Sequence, residues 1–426
     1  MELYRAIIIN PVNRHKTELF ANGALLVGDD GRIIACGDHA AVAARPEAAA
    51  ARVHDWRGRY LAPGFIDAHA HIPQLDQRAR YGETLLDWLQ KYIYPAEARF
   101  AEPAVARAIS TRFFREALKN GTTTVVGYSS ADAGATDIAF QVADELGIRA
   151  CLGQTMMDVN HDRARTGDTD RVLRESIALC ERWHGRDRGR LRYVFTPRFA
   201  PVCSPALMRG IGDYARAQRI PIQTHLAENE QEMVAVMRLF PECETYTDVY
   251  RTYGLLTEQT WLAHCIHLFP SELAMLHDAG CRVIHCPSSN FFLKSGSIRL
   301  REMEKQRLPV ALGTDIGAGP SFSLCDVMKA MNYAQEYHLP PTAAYYFATL
   351  GGAEALGLGD CTGSFSAGKD ADFIVIDLAH LSPTFKLEGL EDLLAFLIYL
   401  GNDSMVDRVY IRNHPVWERT APEAIP

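Results

Sequence analysis

Between about residues 60 and 360 the sequence repeats one pattern eight times: a short apolar run, then a longer stretch whose apolar positions recur every three or four residues. The runs lie at 60–66, 122–128, 149–155, 192–196, 221–226, 260–265, 281–286 and 310–313, and the clearest helical stretches at 102–119, 136–146, 170–182, 205–219 and 270–279. Eight strand–helix alternations are what a (β/α)8 TIM-type barrel requires, and such a barrel carries its reactive groups just after the strands, on one rim. The alternative is a doubly wound open sheet. It lacks support here, because neither a Gly-x-Gly-x-x-Gly nor a Gly-x-x-x-x-Gly-Lys-Ser/Thr fingerprint follows any of the runs.

Both ends of the chain read differently. Short β-like pieces at 4–9, 23–27, 32–35 and 51–55 form a sheet too small to bury a core alone, and further strands at 372–377 and 407–412 supply what it needs. The expected organisation is a small β-sandwich built from 1–62 plus 363–426, around a barrel over 63–362. Lys plus Arg number 44 against 52 Asp plus Glu, a net charge of −8 that repels polyanions, so neither nucleic acid nor an anionic membrane is an expected partner. Ten cysteines without a Cys-x-x-Cys pair read as reduced thiols. The opening residues carry too short an aliphatic run for a signal peptide. The longest apolar run, 393–400, is eight residues where a membrane span needs about 20. The expected location is the cytoplasm.

Candidate chemistry gathers at the strand ends. His69-Ala70-His71 follows the first run, and the two-residue period of a strand puts both imidazoles on one side. Fifteen histidines would give about half of one such pair by chance, so this motif alone decides little. His225 and His264 end the fifth and sixth runs and Asp315 follows the eighth, all at positions that a barrel brings to one rim. Three imidazoles and a carboxylate suit Zn²⁺ or Fe²⁺, with His267 and His285 as competing donors or else hydrogen-bonded structural residues. A hydrolytic site keeps one position open for water, whose pKa the ion lowers from about 15.7 to near 7. Glu228, three residues past His225, is the candidate proton carrier, and Asp315 is a candidate both for the ion and for the water's proton.

The fourth run ends in Thr196-Pro197-Arg198-Phe199-Ala200-Pro201, where flanking prolines stiffen a loop and Arg198 can present a fork of donors to a carbonyl oxygen and a ring nitrogen. No lysine stands there, which argues against a two-metal site bridged by a modified lysine. Gln74 has donors and an acceptor for a planar amide edge, and a solvated loop glutamine is the alternative reading. In His285-Cys286-Pro287-Ser288-Ser289-Asn290 a nucleophilic cysteine is rejected, because it lacks a dedicated base. The His-x-Glu and Pro-Cys-x-x-Cys signature of the short-chain zinc deaminases is absent as well.

Pro63-Gly64-Phe65-Ile66-Asp67-Ala68-His69-Ala70-His71 resembles the first metal motif of the amidohydrolase superfamily, and the likeness runs on to Gly363-Ser364-Phe365-Ser366-Ala367-Gly368-Lys369-Asp370-Ala371-Asp372. Within it the chain is most similar to the barrel-type guanine deaminases, through His71-Ile72-Pro73-Gln74, Thr196 to Pro201, His225-Leu226-Ala227-Glu228-Asn229 and Gly313-Thr314-Asp315-Ile316-Gly317-Ala318-Gly319. The resemblance implies one zinc per chain on His69, His71, His225 and Asp315, with His264 turned toward its water. It implies a purine base bordered by His71, His225, Glu228 and Asp315, with Arg198 and Gln74 on its polar edges and Phe199 against the ring. Glu228 would protonate a ring nitrogen, and guanine would become xanthine and ammonia. A homodimer is expected from the resemblance alone. Rival readings are deamination of 8-oxoguanine, a pterin or a triazine, ring-opening amide hydrolysis, and a barrel without chemistry.

Overall fold

The computed structural model describes residues 1–82, 85–160, 168–381 and 386–420; residues 382–385 and 421–426 of the expected terminal domain lie outside the described residues. The chain begins with β1 (Glu2–Asn13), β2 (Lys16–Val27), β3 (Ile33–Asp38) and β4 (Arg52–Pro63). It continues through β5 (Phe65–His71), β6 (Thr122–Tyr128), β7 (Arg149–Gly153), the two-residue β8 (Thr155–Met156), β9 (Leu191–Tyr193) and the two-residue β10 (Thr196–Pro197). β11 (Ile222–Leu226), β12 (Thr260–His264), β13 (Arg282–His285) and β14 (Val310–Leu312) follow, and β15 (Phe373–Ile376), β16 (Val406–Ile411) and β17 (His414–Glu418) close the sequence.

The two ends share one seven-stranded mixed sheet, in the order β17-β16-β15-β4-β1-β2-β3. Tyr4 on β1 and Tyr410 on β16 stand three strands apart in that order, yet their ring centroids are 6.0 Å apart. A flat sheet would separate those strands by about 14 Å, so this sheet folds over onto a shared core that includes Ile8, Leu25 and Phe373.

The sequence reading took 60–66 as the first barrel strand, and the structure corrects it. Tyr60 to Pro63 pairs with β15 in the terminal sheet, and Phe65 starts β5. Gly64 is the joint between them, because a Cβ there would collide with the Thr123 side chain. The middle of the chain then supplies two parallel four-stranded sheets, β5-β6-β7-β9 and β11-β12-β13-β14. Every residue of β5, β6 and β7 is buried, as expected for parallel strands covered on both faces. Phe195 and Ile222 bridge one pair of sheet edges. Across the other, Asp315 N–H donates to His69 O at 2.8 Å and His71 N–H to Ile316 O at 2.6 Å. Ile66, Val126, Cys151, Ala263, Ile284 and Ala311, drawn from six strands of both sheets, meet in one interior core.

Helices fill the connections near the expected limits: Pro103–Lys119, Ala133–Leu146, Thr169–Trp183, Pro205–Gln218 and Pro270–Asp278. Local capping explains several of their starts. Asp132, Asp168 and Ser204 each accept a backbone N–H of the first turn. The apolar run at 393–400 falls in the helix Leu390–Leu400, and among the described residues no helix is long and apolar enough to cross a membrane.

Candidate active site

The strand ends bring the histidines together. His69 and His71 stand on β5, His225 on β11 and His264 at the last position of β12, with Asp315 three residues beyond β14. Asp315 Oδ1 lies 3.4 Å from Nε2 of both His69 and His71. Nε2 of His71 and His225 meet at 3.2 Å. Candidate ligand atoms of His69, His71 and Asp315, and of His69, His225 and His264, lie within 4.8 Å of one another in each set. Four residues at these turns hold left-handed backbone without being glycine: Ala227 (φ 49°), His264 (φ 73°), Cys265 (φ 53°) and Asp315 (φ 52°). Such conformations cost about 1–3 kcal/mol each and persist where surrounding structure enforces them, commonly at functional sites. The close approach of β14 to β5 requires Gly313, where a Cβ would sit 2.6 Å from the His69 Cβ.

A layer behind the cluster fixes its orientation. The Arg198 carbonyl is 2.6 Å from His225 Nδ1, Ser289 Oγ donates to Asp315 Oδ2 at 2.6 Å, and Asn290 Nδ2 lies 3.0 Å from His264 Nδ1. Asp67, between Ile66 and Ala68 on β5, accepts from the Thr314 N–H and hydroxyl, which ties the two strand ends together. Outer partners of this kind orient metal ligands. Sequence reasoning missed Ser289 and Asn290, because each reaches a partner 26 positions away and no local spacing marks that contact. The Cys286 thiol is buried, and burial followed by the Asp315 and Asp67 carboxylates pushes its pKa well up, which removes it as a nucleophile.

The residues present fit a transition metal. The buried Nε2 of His69 has no hydrogen-bond partner among the described residues. Burial holds His71 and His225 below the ordinary imidazole range and takes His264 down to about 3, so these rings are neutral, as metal ligands must be. Burial alone would raise the Asp315 carboxyl, but the His69 and His71 imidazoles outweigh it and hold it well below the usual range. The two competing donors fall outside the cluster. His267 Nε2 bonds the Ser295 carbonyl at 2.9 Å. His285 is buried with neither ring nitrogen hydrogen-bonded among the described residues, which corrects the reading of it as a hydrogen-bonded structural residue.

A pocket opens onto the cluster, lined by His71, His225, His264 and Asp315 and also by Gln74, Arg198 and Phe199. Glu228 also lines it, with Oε2 at 3.5 Å from His264 Nε2 and Oε1 accepting from Ser295 Oγ at 3.2 Å. Burial first, then the Asp315 and Glu232 carboxylates, push its pKa well above the ordinary value. Two acids were missed from sequence. Glu232 accepts from the Glu228 N–H (3.0 Å), the Asn229 N–H (3.3 Å) and the Tyr246 hydroxyl (2.8 Å), and so fixes the loop that carries Glu228. Glu97 accepts from both Gln74 and Arg198. It stands in a stretch of roughly 30 residues between β5 and the helix at Pro103, and that length was the available signal, since βα loops usually run two to six residues.

The model of the amidohydrolase family matches residues 60–416. The chain belongs to the amidohydrolase family. This amidohydrolase is 37% identical over 386 residues to a guanine deaminase of Escherichia coli (strain K12), covering 86% of this chain and 85% of that protein. A solved structure of the E. coli guanine deaminase superposes with a TM-score of 0.93 at 33% identity, over 99% of this chain and all of that one. The guanine deaminase of C. acetobutylicum, solved with guanine bound in the active site, superposes with a TM-score of 0.91 at 28% identity, over 98% of this chain and all of that one.

Proposed function

We propose that this amidohydrolase is a guanine deaminase, hydrolysing guanine to xanthine and ammonia in purine catabolism. One observation carries the reading: a single pocket joins the His/Asp cluster, the Glu228 carboxyl and the side chains of Gln74 and Arg198. The likeness to guanine deaminases over most of the chain supports the same base. The two parallel sheets are then halves of one closed (β/α)8 barrel over 63–362, and the folded terminal sheet, from 1–62 and 363–426, is its β-sandwich companion. The enzyme acts as a cytoplasmic homodimer.

In this reading His69, His71, His225 and Asp315 hold one Zn²⁺ per chain, and the same donors suit Fe²⁺. When bound, such an ion brings water toward hydroxide at neutral pH. Arg198 and Gln74 hold the polar edges of the base and Phe199 lies against the ring, so that the amino-bearing carbon faces the histidines. His264 orients the attacking water, with its own ring held through Asn290. Glu228, kept protonated by its buried surroundings, gives that proton to a ring nitrogen as the water oxygen adds to the carbon. Asp315 takes one proton of the water and passes it to the amino group, which leaves as ammonia as the new hydroxyl becomes the carbonyl and returns its proton to Glu228.

The test is ammonia release from free guanine by zinc-supplied protein, with a chelator-treated sample alongside. Release by the first and not the second is expected. Zinc-loaded protein that spares guanine but deaminates 8-oxoguanine, a pterin or a triazine moves the assignment to that base.

A further inference from the structure

Glu97 takes no part in the chemistry above, yet it joins the two side chains that would read the base. It lies on the short helix Tyr94–Arg99, with Oε1 accepting from Gln74 Nε2 at 2.9 Å and Oε2 from Arg198 Nη1 at 2.5 Å. The Arg198 and Glu97 side chains are only 3% and 10% exposed, so this ion pair is shielded from water. We propose that Glu97 is a positioning residue that dictates which atoms Gln74 and Arg198 offer to the base, and thereby selects a purine carrying an exocyclic oxygen on that edge. The inference rests on the guanine reading above.

A glutamine amide is nearly symmetric in shape, so left alone Gln74 could present either its oxygen or its nitrogen. A carboxylate only accepts, which turns Nε2 toward Glu97. At the other end the backbone N–H of Gly317, which only donates, stands 3.4 Å from Gln74 Oε1. Both ends of the amide are therefore assigned by chemistry. Gly317 must be glycine for this approach, because a Cβ there would lie 2.5 Å from the Gln74 carbonyl oxygen.

Arg198 has donors only. Glu97 holds one end of its guanidinium, and the Tyr94 ring lies 5.2 Å from its central carbon, so the plane of the remaining N–H groups is fixed. A base entering against that plane must bring acceptors. A 6-oxo purine does so, whereas a 6-amino purine sets N–H groups against N–H groups and leaves buried donors unpaired. Glu97 also balances the buried charge of Arg198, so a neutral base can displace water there without leaving a lone cation behind.

Steady-state kinetics on zinc-loaded wild type, Glu97→Gln, Arg198→Ala and the double variant test this. Wild type is measured first; no ammonia from guanine defeats the guanine reading and this inference together. With wild type active, Glu97→Gln is expected to raise the KM for guanine about 10-fold or more, the scale of a lost charged hydrogen bond. Its kcat should stay within a few-fold and its zinc content should be unchanged. In the Arg198→Ala background the same substitution should change KM less than about twofold, because its main partner is gone. Equal factors in both backgrounds, or a loss confined to kcat, overturn the assignment while leaving the guanine reading intact. Glu97→Asp keeps the charge and withdraws the oxygens. It should show a smaller defect, again in KM only, and it carries the test by the same criteria if Glu97→Gln does not fold.

Discussion

Two clusters of buried charge sit at opposite ends of the parallel strands, and only one of them is complete. At the start of β7 the Arg149 side chain, 1% exposed, donates to Asp370 at 2.7 Å and to Asp372 at 2.8 and 2.9 Å. Arg412 adds bonds from its Nε to Asp370 at 2.8 Å and from its backbone N–H to Asp372 at 2.9 Å. Burial would lower the Arg149 pKa, but Asp372 and Asp370 outweigh it and hold the cation firmly. At the strand ends His69, His71 and Asp315 are buried and His225 is partly so, yet their side chains converge on one another and His69 Nε2 has no hydrogen-bond partner among the described residues. Buried charge is thus no sign of function by itself. The sign is a set of ligand atoms aimed at a common point with a buried ring nitrogen left without a hydrogen bond among the described residues, since buried polar groups otherwise find partners.

The sharpest way to break that contrast is to empty the open cluster. Treatment with a chelator should take ammonia release to background and lower the melting temperature, because a ligand that binds only the folded chain stabilises it. Zinc should restore both, read by calorimetry and by ammonia assay. Retained activity in protein shown free of metal would make the two clusters alike, and both structural. Next in size, Glu228→Gln should keep its zinc while turnover falls about 10²–10⁴-fold, the range for a lost proton donor. Full turnover in that variant removes Glu228 from the reaction.

The closed cluster should answer oppositely. Arg149→Met leaves two buried carboxylates short of a cation, a change that costs about 3–5 kcal/mol where one partner of a buried pair is removed. Denaturant unfolding should show that loss, while kcat of the folded fraction at low temperature stays near wild type. A fall in kcat with stability intact would mean that Arg149 acts on the site across the interior core.

The difference between the clusters also explains what the sequence reveals. His69, His71, His225, His264 and Asp315 were legible because each ends an apolar run, and a repeating strand–helix pattern carries such ends to one rim. The run at 60–66 was misread because its two halves serve different sheets, and Gly64, which divides them, leaves no periodic signal. Arg149 and its carboxylates are more than 220 positions apart, so no local spacing joins them. Glu97 escaped for a related reason. It sits in short 3-10, π-helical and α-helical turns between β5 and Pro103, where no helical stripe is long enough to show which face is buried. Strand ends are thus readable from pattern, whereas the wall opposite them depends on tertiary contacts that pattern does not encode.

The smallest effect separates the clusters by acid. The Asp370 carboxyl is pushed up by burial, but Arg149 and Arg412 more than offset this and hold it below the usual range. A carboxyl depressed in the folded state contributes its full stability above the unfolded value of about 3.9, and loses it as pH falls through the lower folded value. Asp370→Asn cannot take part in that loss. Its denaturant midpoint should lie below that of wild type near neutral pH, and the gap should narrow as the pH drops below about 4. Activity per folded molecule should be the same in both proteins at neutral pH, since Asp370 lies at the strand starts, away from the cavity. A gap that stays constant down to pH 3 would show that the ion pair does not set the acid limit of this fold. The closed cluster would then be a packing feature whose charges balance without stabilising.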